Sequence, residues 1–249
     1  MIEISKLSFE YRLAGTKFSR VLKNINLHIG AGERVAIVGP SGAGKSTFLK
    51  CINRLLQPMV GSIKIQGQEI INLSNRKIRK IRQRLGMIFQ NFNLIQRISA
   101  IDNVLLGRLS FIPSYRKYFY GFAFSSRDYE IALESLRQVQ IEEFAFRRAD
   151  RLSGGQQQRI GIARALTQEP EVILADEPVS NLDPKIKTEI LELLLSICDD
   201  KNLTLLISMH EIELVKRFVS RVIGFSNGQI VFDGTPQELG NEEYKQIYS

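Results

Sequence analysis

Apolar residues recur along this chain in two rhythms. Residues 1–9 alternate apolar and polar, as in a strand with one buried face. Four short runs, at 34–38, 87–90, 172–175 and 204–208, carry Val, Ile and Leu and read as parallel strands buried on both faces. Helical spacing separates them, so the chain reads as α/β. Between 91 and 149 the strand signal stops and helical periodicity takes over, most clearly at 129–139. This stretch is expected to be a helical subdomain inserted in the α/β core. Near the end, Asn227-Gly228 lies between two apolar runs, a strong hairpin signal that predicts an antiparallel edge on the sheet.

Length and composition narrow this picture. A chain of 249 residues buries most of its apolar surface without disulfides. It shows no internal repeat, low-complexity tract or Gly/Ser linker, which argues against several modules. Its two cysteines, Cys51 and Cys198, fall far apart inside predicted helices, without metal-ligand spacing. Two buried thiols in a reducing compartment are the expectation. The N-terminus lacks the apolar core of a signal peptide, and no run approaches the roughly 18 apolar residues of a membrane span. Any membrane part would belong to another chain. The net charge of +8 invites a polyanion partner. Much of the excess, however, sits at 76–84, where Ile78, Ile81 and Leu85 share one helical stripe. That pattern predicts a solvated amphipathic helix with its stripe in the core, against the alternative of a membrane or nucleic-acid patch.

The chemistry begins at Gly39-Pro40-Ser41-Gly42-Ala43-Gly44-Lys45-Ser46-Thr47, which matches G-x-x-x-x-G-K-[ST] between a predicted strand and a predicted helix. Glycines let successive backbone N–H groups turn inward on phosphates, and the following helix aims its positive end at them. Lys45 adds a point charge for the terminal phosphates, and Ser46 offers a hydroxyl to Mg²⁺. Further on, the apolar strand at 172–175 leads into Asp176 and Glu177. Asp176 is expected to hold Mg²⁺ through water. Glu177, facing the other way, is expected to polarise an attacking water as general base.

Leu152-Ser153-Gly154-Gly155-Gln156-Gln157-Gln158-Arg159 resembles the signature motif of the ATP-binding-cassette (ABC) ATPases. Ser153, Gly154 and Gly155 precede a helix expected from about Gln156 and form a second anion nest. The resemblance implies that this nest caps the γ-phosphate held by an opposite subunit, so that a homodimer or paired cassette encloses two nucleotides. It extends over nearly the whole sequence and implies a P-loop NTPase, RecA-like core with an antiparallel β edge and subdomain (1–90 and 160–249). Residues 91–159 would be the helical subdomain that carries the signature motif.

The same resemblance assigns further roles. Tyr11 resembles the aromatic that stacks on adenine, although a tyrosine at a strand end also serves packing. Gln90 resembles the glutamine that touches Mg²⁺ and the water, and that bends when the helical subdomain rotates. Ser180-Asn181-Leu182-Asp183 resembles the loop linking the two sites, with Asp183 near the nucleotide. His210 resembles the switch histidine on the γ-phosphate. The next residue, Glu211, departs from the more usual Asp, a change expected to be tolerated.

The longer segment at 108–129, together with 103–109, 148–151, 175–179 and 231–236, resembles the ATPase subunit of phosphonate importers. Polar amino-acid, phosphate and phosphite importers stay open. The implied cofactors are ATP and Mg²⁺. The implied partners are permease chains and, acting through them, a periplasmic or extracellular solute-binding protein, with the ATPase on the cytoplasmic face of the inner membrane and no nucleic acid bound. A chromosome-organising ATPase would carry long coiled coils between Lys45 and Ser153, and none is evident. A translation factor of this superfamily usually has two cassettes, and an exporter is commonly fused to its membrane helices. Phe111, Tyr115, Tyr118, Phe119, Tyr120, Phe122 and Phe124, interleaved with Arg116 and Lys117, are read either as the core of the helical subdomain or as the lining of a groove for a permease helix.

Overall fold

A computed structural model describes residues 1–12, 18–112 and 124–248. Two sheets form its frame. β1 (Ile2–Arg12), β2 (Phe18–Ile29), β4 (Val60–Ile65) and the short β5 (Gln68–Glu69) make an antiparallel sheet in the order β2-β1-β4-β5. The second sheet takes β3 (Arg34–Val38), β6 (Leu85–Ile88), β7 (Val172–Asp176), β8 (Thr204–Ser208), β9 (Arg221–Ser226) and β10 (Gln229–Gly234) in the order β10-β9-β3-β8-β7-β6. All its neighbours are parallel except β9 and β10, the predicted hairpin. Its turn residues Asn227 and Gly228 both have positive φ, 49° and 79°, as a type I′ turn requires.

Strand alternation divides the core in two. Val35 and Ile37 of β3, with Val172 and Leu174 of β7, face the antiparallel sheet and helices α1 (Lys45–Ile52) and α2 (Asn75–Gln83). Ala36 and Val38, with Ile173 and Ala175, face the other way. They pack with α3 (Ala100–Leu105), α4 (Ser126–Gln138), α5 (Gly154–Leu166) and α6 (Pro184–Asp200). The helical segment therefore shares one core with the sheet. α7 (Ile212–Phe218) and α8 (Asn241–Tyr248) complete the fold, and Ile247 of α8 is fully buried beneath β9 and β10. No helix among the described residues is long and apolar enough to cross a membrane.

Several local expectations shift. α2 buries Ile78 and Ile81 as predicted, but Leu85 is the first residue of β6 rather than a member of the helical stripe. β6 also ends at Ile88, which puts Gln90 in the loop beyond it. α5 starts at Gly154, not near Gln156. Ser153 reaches forward to cap it, so the glycines occupy its first turn. Tyr115, Arg116, Lys117, Tyr118, Phe119, Tyr120 and Phe122 lie outside the described residues. Of the two remaining aromatics, Phe124 packs against the core and Phe111 is exposed beneath the Arg108 guanidinium, 3.9 Å from its ring centroid.

Candidate active site

The loop at 39–47 leaves β3 at the centre of the parallel sheet and enters α1. Gly39 has φ 148°, and a Cβ there would stand 2.2 Å from the Phe225 carbonyl oxygen, so only glycine fits so close to β9. Lys45 is almost fully buried, and its ammonium donates to the carbonyls of Gly39 (2.8 Å) and Pro40 (3.0 Å). Burial pushes the Lys45 pKa below its usual 10.5, while the negative charges of Glu177 and Asp176 act in the opposite direction. Ala43 is tied from outside, its carbonyl accepting from the N–H of Gly228 in the hairpin turn.

Two carboxylates come to this loop from the end of β7. Asp176 is buried and accepts from the Ser46 hydroxyl at 2.7 Å and the Ser208 hydroxyl at 3.0 Å; its second oxygen is 4.0 Å from the Lys50 ammonium. Glu177 was expected to face away from Asp176 by strand alternation. The strand ends at Asp176, and Glu177 takes a left-handed φ of 46° and lines the cleft beside Lys45 and His210, while Asp176 is buried against Ser46. Such a conformation costs a non-glycine residue about 1–3 kcal/mol and needs anchors. Here the Glu177 N–H donates to the Ser208 hydroxyl (2.9 Å), and its carbonyl accepts from Ser180. The Gln90 amide then donates to one carboxylate oxygen of Glu177 at 3.1 Å, and His210 Nε2 contacts the other.

The result is one open cleft of about 400 Å³, lined by Tyr11, Ser41, Gly42, Gly44, Lys45, Ser46, Thr47, Gln90, Glu177 and His210. The Tyr11 hydroxyl lies 3.4 Å from that of Thr47, and its ring meets Phe9 edge-on. A Cβ on Gly42 would stand with no protein atom within 4 Å, so the loop's centre opens on free space of the kind a phosphate fills. Ser46 and Asp176 supply adjacent hard oxygens, a donor set that suits Mg²⁺. Three contributors escaped the sequence reading: Val21 on the wall, Lys50 beside Asp176, and Ser208, which holds both acids. A serine closing β8 directly after Leu205, Leu206 and Ile207, two residues before His210, was the available sign.

Ser153, Gly154, Gly155 and Asp183 do not line this cleft. Ser153 accepts from the Gln156 N–H, and the Gln156 side chain accepts in return from Ser153 N–H, closing a capping box. The first N–H groups of the helix, at Gly154 and Gly155, are left without intrahelical partners, as at every helix start. Gly155 also lets α6 approach, since a Cβ there would come within 2.8 Å of Ile186. Asp183 is the exposed residue preceding α6.

Comparison with known proteins agrees with this geometry. Residues 22–180 match the family model described as ABC transporter. The chain is 46% identical over 228 residues to the phosphonates import ATP-binding protein PhnC 2 of Halalkalibacterium halodurans, covering 91% of this chain and 92% of that one. It is 42% identical over 248 residues to PhnC 2 of Oceanobacillus iheyensis, covering 100% and 95%. Among solved structures, a dimeric post-hydrolysis state of the ATP-binding cassette MJ0796 bound to ADP and Pi superposes with a TM-score of 0.82. It is 36% identical to this chain and covers 95% of it and 99% of its own. The chain belongs to the ABC transporter family, as one of its ATP-binding, ATP-hydrolysing cassettes.

Proposed function

We propose that this chain powers an importer of phosphonate or a related phosphorus oxyanion, as one half of a dimer that encloses two ATP molecules. The observation that carries the ATPase reading is the Glu177 carboxylate, held between Gln90 and His210 and facing the loop that carries Lys45. The loop N–H groups and Lys45 would bind the phosphates, with the ammonium exchanging its two backbone carbonyls for phosphate oxygens. Tyr11 would lie against the adenine. Ser46 and Asp176, with Gln90, would hold Mg²⁺, which supplies charge neutralisation on the phosphates. Glu177 would accept the proton of the attacking water, and His210 would orient the carboxylate and meet the γ-phosphate.

The dimer reading is supported by the signature residues Ser153, Gly154 and Gly155, which present a helix start away from their own cleft, and by the dimeric MJ0796 cassette. Asp183 would lie at the junction between the two subunits. The relatives' names, phosphonates import ATP-binding proteins, support phosphonate as the cargo. Permease chains would be the membrane partners, with a solute-binding protein acting through them. The cassette would then sit on the cytoplasmic face of the membrane. A groove of about 220 Å³, with Leu55, Met87, Phe89 and Leu106 on its walls beside Arg82, Arg164 and Gln168, would receive a permease helix.

The test has two arms. Glu177→Gln should bind ATP, form a stable ATP-dependent dimer by size exclusion, and lose turnover; hydrolysis at the wild-type rate would remove Glu177 from its role. In the purified membrane complex, phosphonates with the cognate receptor should stimulate ATP hydrolysis more than phosphate, phosphite or amino acids do. Stimulation by an amino acid alone would overturn the cargo.

A further inference from the structure

Between Asn72 and Arg84 the chain carries six cationic side chains and no carboxylate. Two of the six are used within the protein. Arg82 donates to the carbonyls of Asn53 (3.0 Å) and Arg54 (2.5 Å), and Arg84 pairs with Glu171. The other four, Arg76, Lys77, Arg79 and Lys80, are exposed on the side of α2 opposite its buried Ile78 and Ile81. None of the four meets a carboxylate among the described residues.

This arrangement works against the helix in which it sits. Arg76 and Lys80 are like charges four residues apart, and Arg76 with Arg79 and Lys77 with Lys80 are like charges three apart, spacings at which such pairs destabilise a helix. Arg76 and Lys77 also lie in the first turn, where the positive end of the helix disfavours cations, and no acidic residue offsets them there. A face selected only for solvation would alternate acids with these bases. A negatively charged surface laid against α2 turns each of these repulsions into an attraction.

The place of the helix says which surface. Arg82 lines the groove with Asn53, Leu55 and Met87, and the Gln83 amide donates to the Ser110 carbonyl at 3.1 Å, so the C-terminal end of α2 forms part of the groove's rim. Leu55, on the same wall, is 47% exposed. A groove that receives a permease helix faces the bilayer, and the cationic side of α2 flanks it. We propose that Arg76, Lys77, Arg79 and Lys80 rest on anionic phospholipid headgroups and hold the cassette against the membrane beside its permease. This rests on the reading of the groove given above. Lipid is favoured over nucleic acid because the exposed side of α2 offers no aromatic ring on which a base could stack, and because it continues a face turned to the membrane.

Flotation of the full chain with vesicles tests the proposal. Wild type should float with phosphatidylcholine vesicles containing roughly 30% phosphatidylglycerol and not with phosphatidylcholine alone. Replacing Arg76, Lys77, Arg79 and Lys80 by glutamine should weaken that binding roughly a hundred-fold or more, with ATP hydrolysis in solution unchanged and a melting temperature at or above wild type. A control with Lys64, Lys201, Lys216 and Lys245 replaced by glutamine loses the same net charge from exposed positions elsewhere and should bind as wild type does. Raising salt from about 0.1 M to about 1 M, which shortens the screening length from about 10 Å to about 3 Å, should release the wild-type chain. Should the fourfold α2 variant fail to fold, Arg76→Gln with Lys80→Gln decides: a loss of about ten-fold supports the proposal and none overturns it. Wild type that ignores the anionic vesicles, a control that loses as much as the α2 variant, or α2-dependent binding of a single-stranded DNA oligonucleotide without vesicle binding each overturn it. A chain that binds the vesicles through α2 yet fails to co-purify with a permease sinks the groove reading; one that co-purifies yet ignores the vesicles sinks this proposal alone.

Discussion

Ser208 is fully buried at the end of β8, where one hydroxyl serves two acids: it donates to Asp176 and accepts from the N–H that anchors left-handed Glu177. Ser208→Ala removes both bonds and adds no bulk. The bond to the carboxylate is worth about 1.5–3 kcal/mol and the neutral one about 0.5–1.5 kcal/mol. The expected loss of about 2–4 kcal/mol lowers Tm by roughly 5–15 °C in a chain of this size. Calorimetry of the nucleotide-free protein measures it directly. Activity should suffer as well, because Glu177 loses the contact that fixes its backbone, and a kcat lower by roughly ten-fold corresponds to about 1.4 kcal/mol of misplacement. Ser208→Thr, which keeps the hydroxyl, should recover part of the catalytic loss. A Ser208→Ala protein melting within about 1 °C of wild type, with unchanged kcat, would refute the reasoning.

Three further outcomes follow from buried titratable groups. Bound phosphates favour the Lys45 ammonium, so ATP affinity should be full below the depressed pKa of Lys45 and should weaken as pH rises through it, below the usual 10.5; adenosine, which has no phosphates, should show no such fall by titration calorimetry, and parallel curves would refute the assignment. The folded protein releases this proton before the unfolded chain does, so this group's contribution to stability improves with rising pH in the same window. Cys51 and Cys198, both pushed up to about 12 chiefly by burial, should resist alkylation in the native protein and react on unfolding, which mass spectrometry of iodoacetamide-treated samples would show.

The legible parts of this molecule were those whose chemistry is local. The loop at 39–47 carries its strand, its glycines and its lysine in one stretch, and Asn227-Gly228 dictates its own turn. Ser208 was not legible, because its role depends on β7–β8 register, which sets Ser208 against Asp176. The left-handed backbone at Glu177 was hidden for a related reason: strand alternation applies only while the strand lasts, and β7 ends one residue earlier. Helical spacing likewise ran on to Leu85 because an apolar residue at the right interval looks the same whether it closes a helix or opens a strand. The start of α5 was misplaced because glycine has poor helix propensity, whereas the Ser153 and Gln156 capping box and the close approach of Ile186 override it.

The strand order of the parallel sheet has a consequence for how the protein is made. β3, which launches the phosphate loop, is the first strand of that sheet to leave a ribosome, yet its neighbours β8 and β9 are encoded in the last fifth of the chain. The hairpin turn that braces Ala43 arrives later still, at Gly228. Through most of synthesis β3 therefore has both edges open and an apolar sequence on each face, the condition in which strands pair wrongly with other chains. The nucleotide cradle is thus translated before every other strand of its sheet and completed only when β8, β9 and the hairpin turn have followed. Truncations after β7 would make aggregating chains rather than weak binders of ATP.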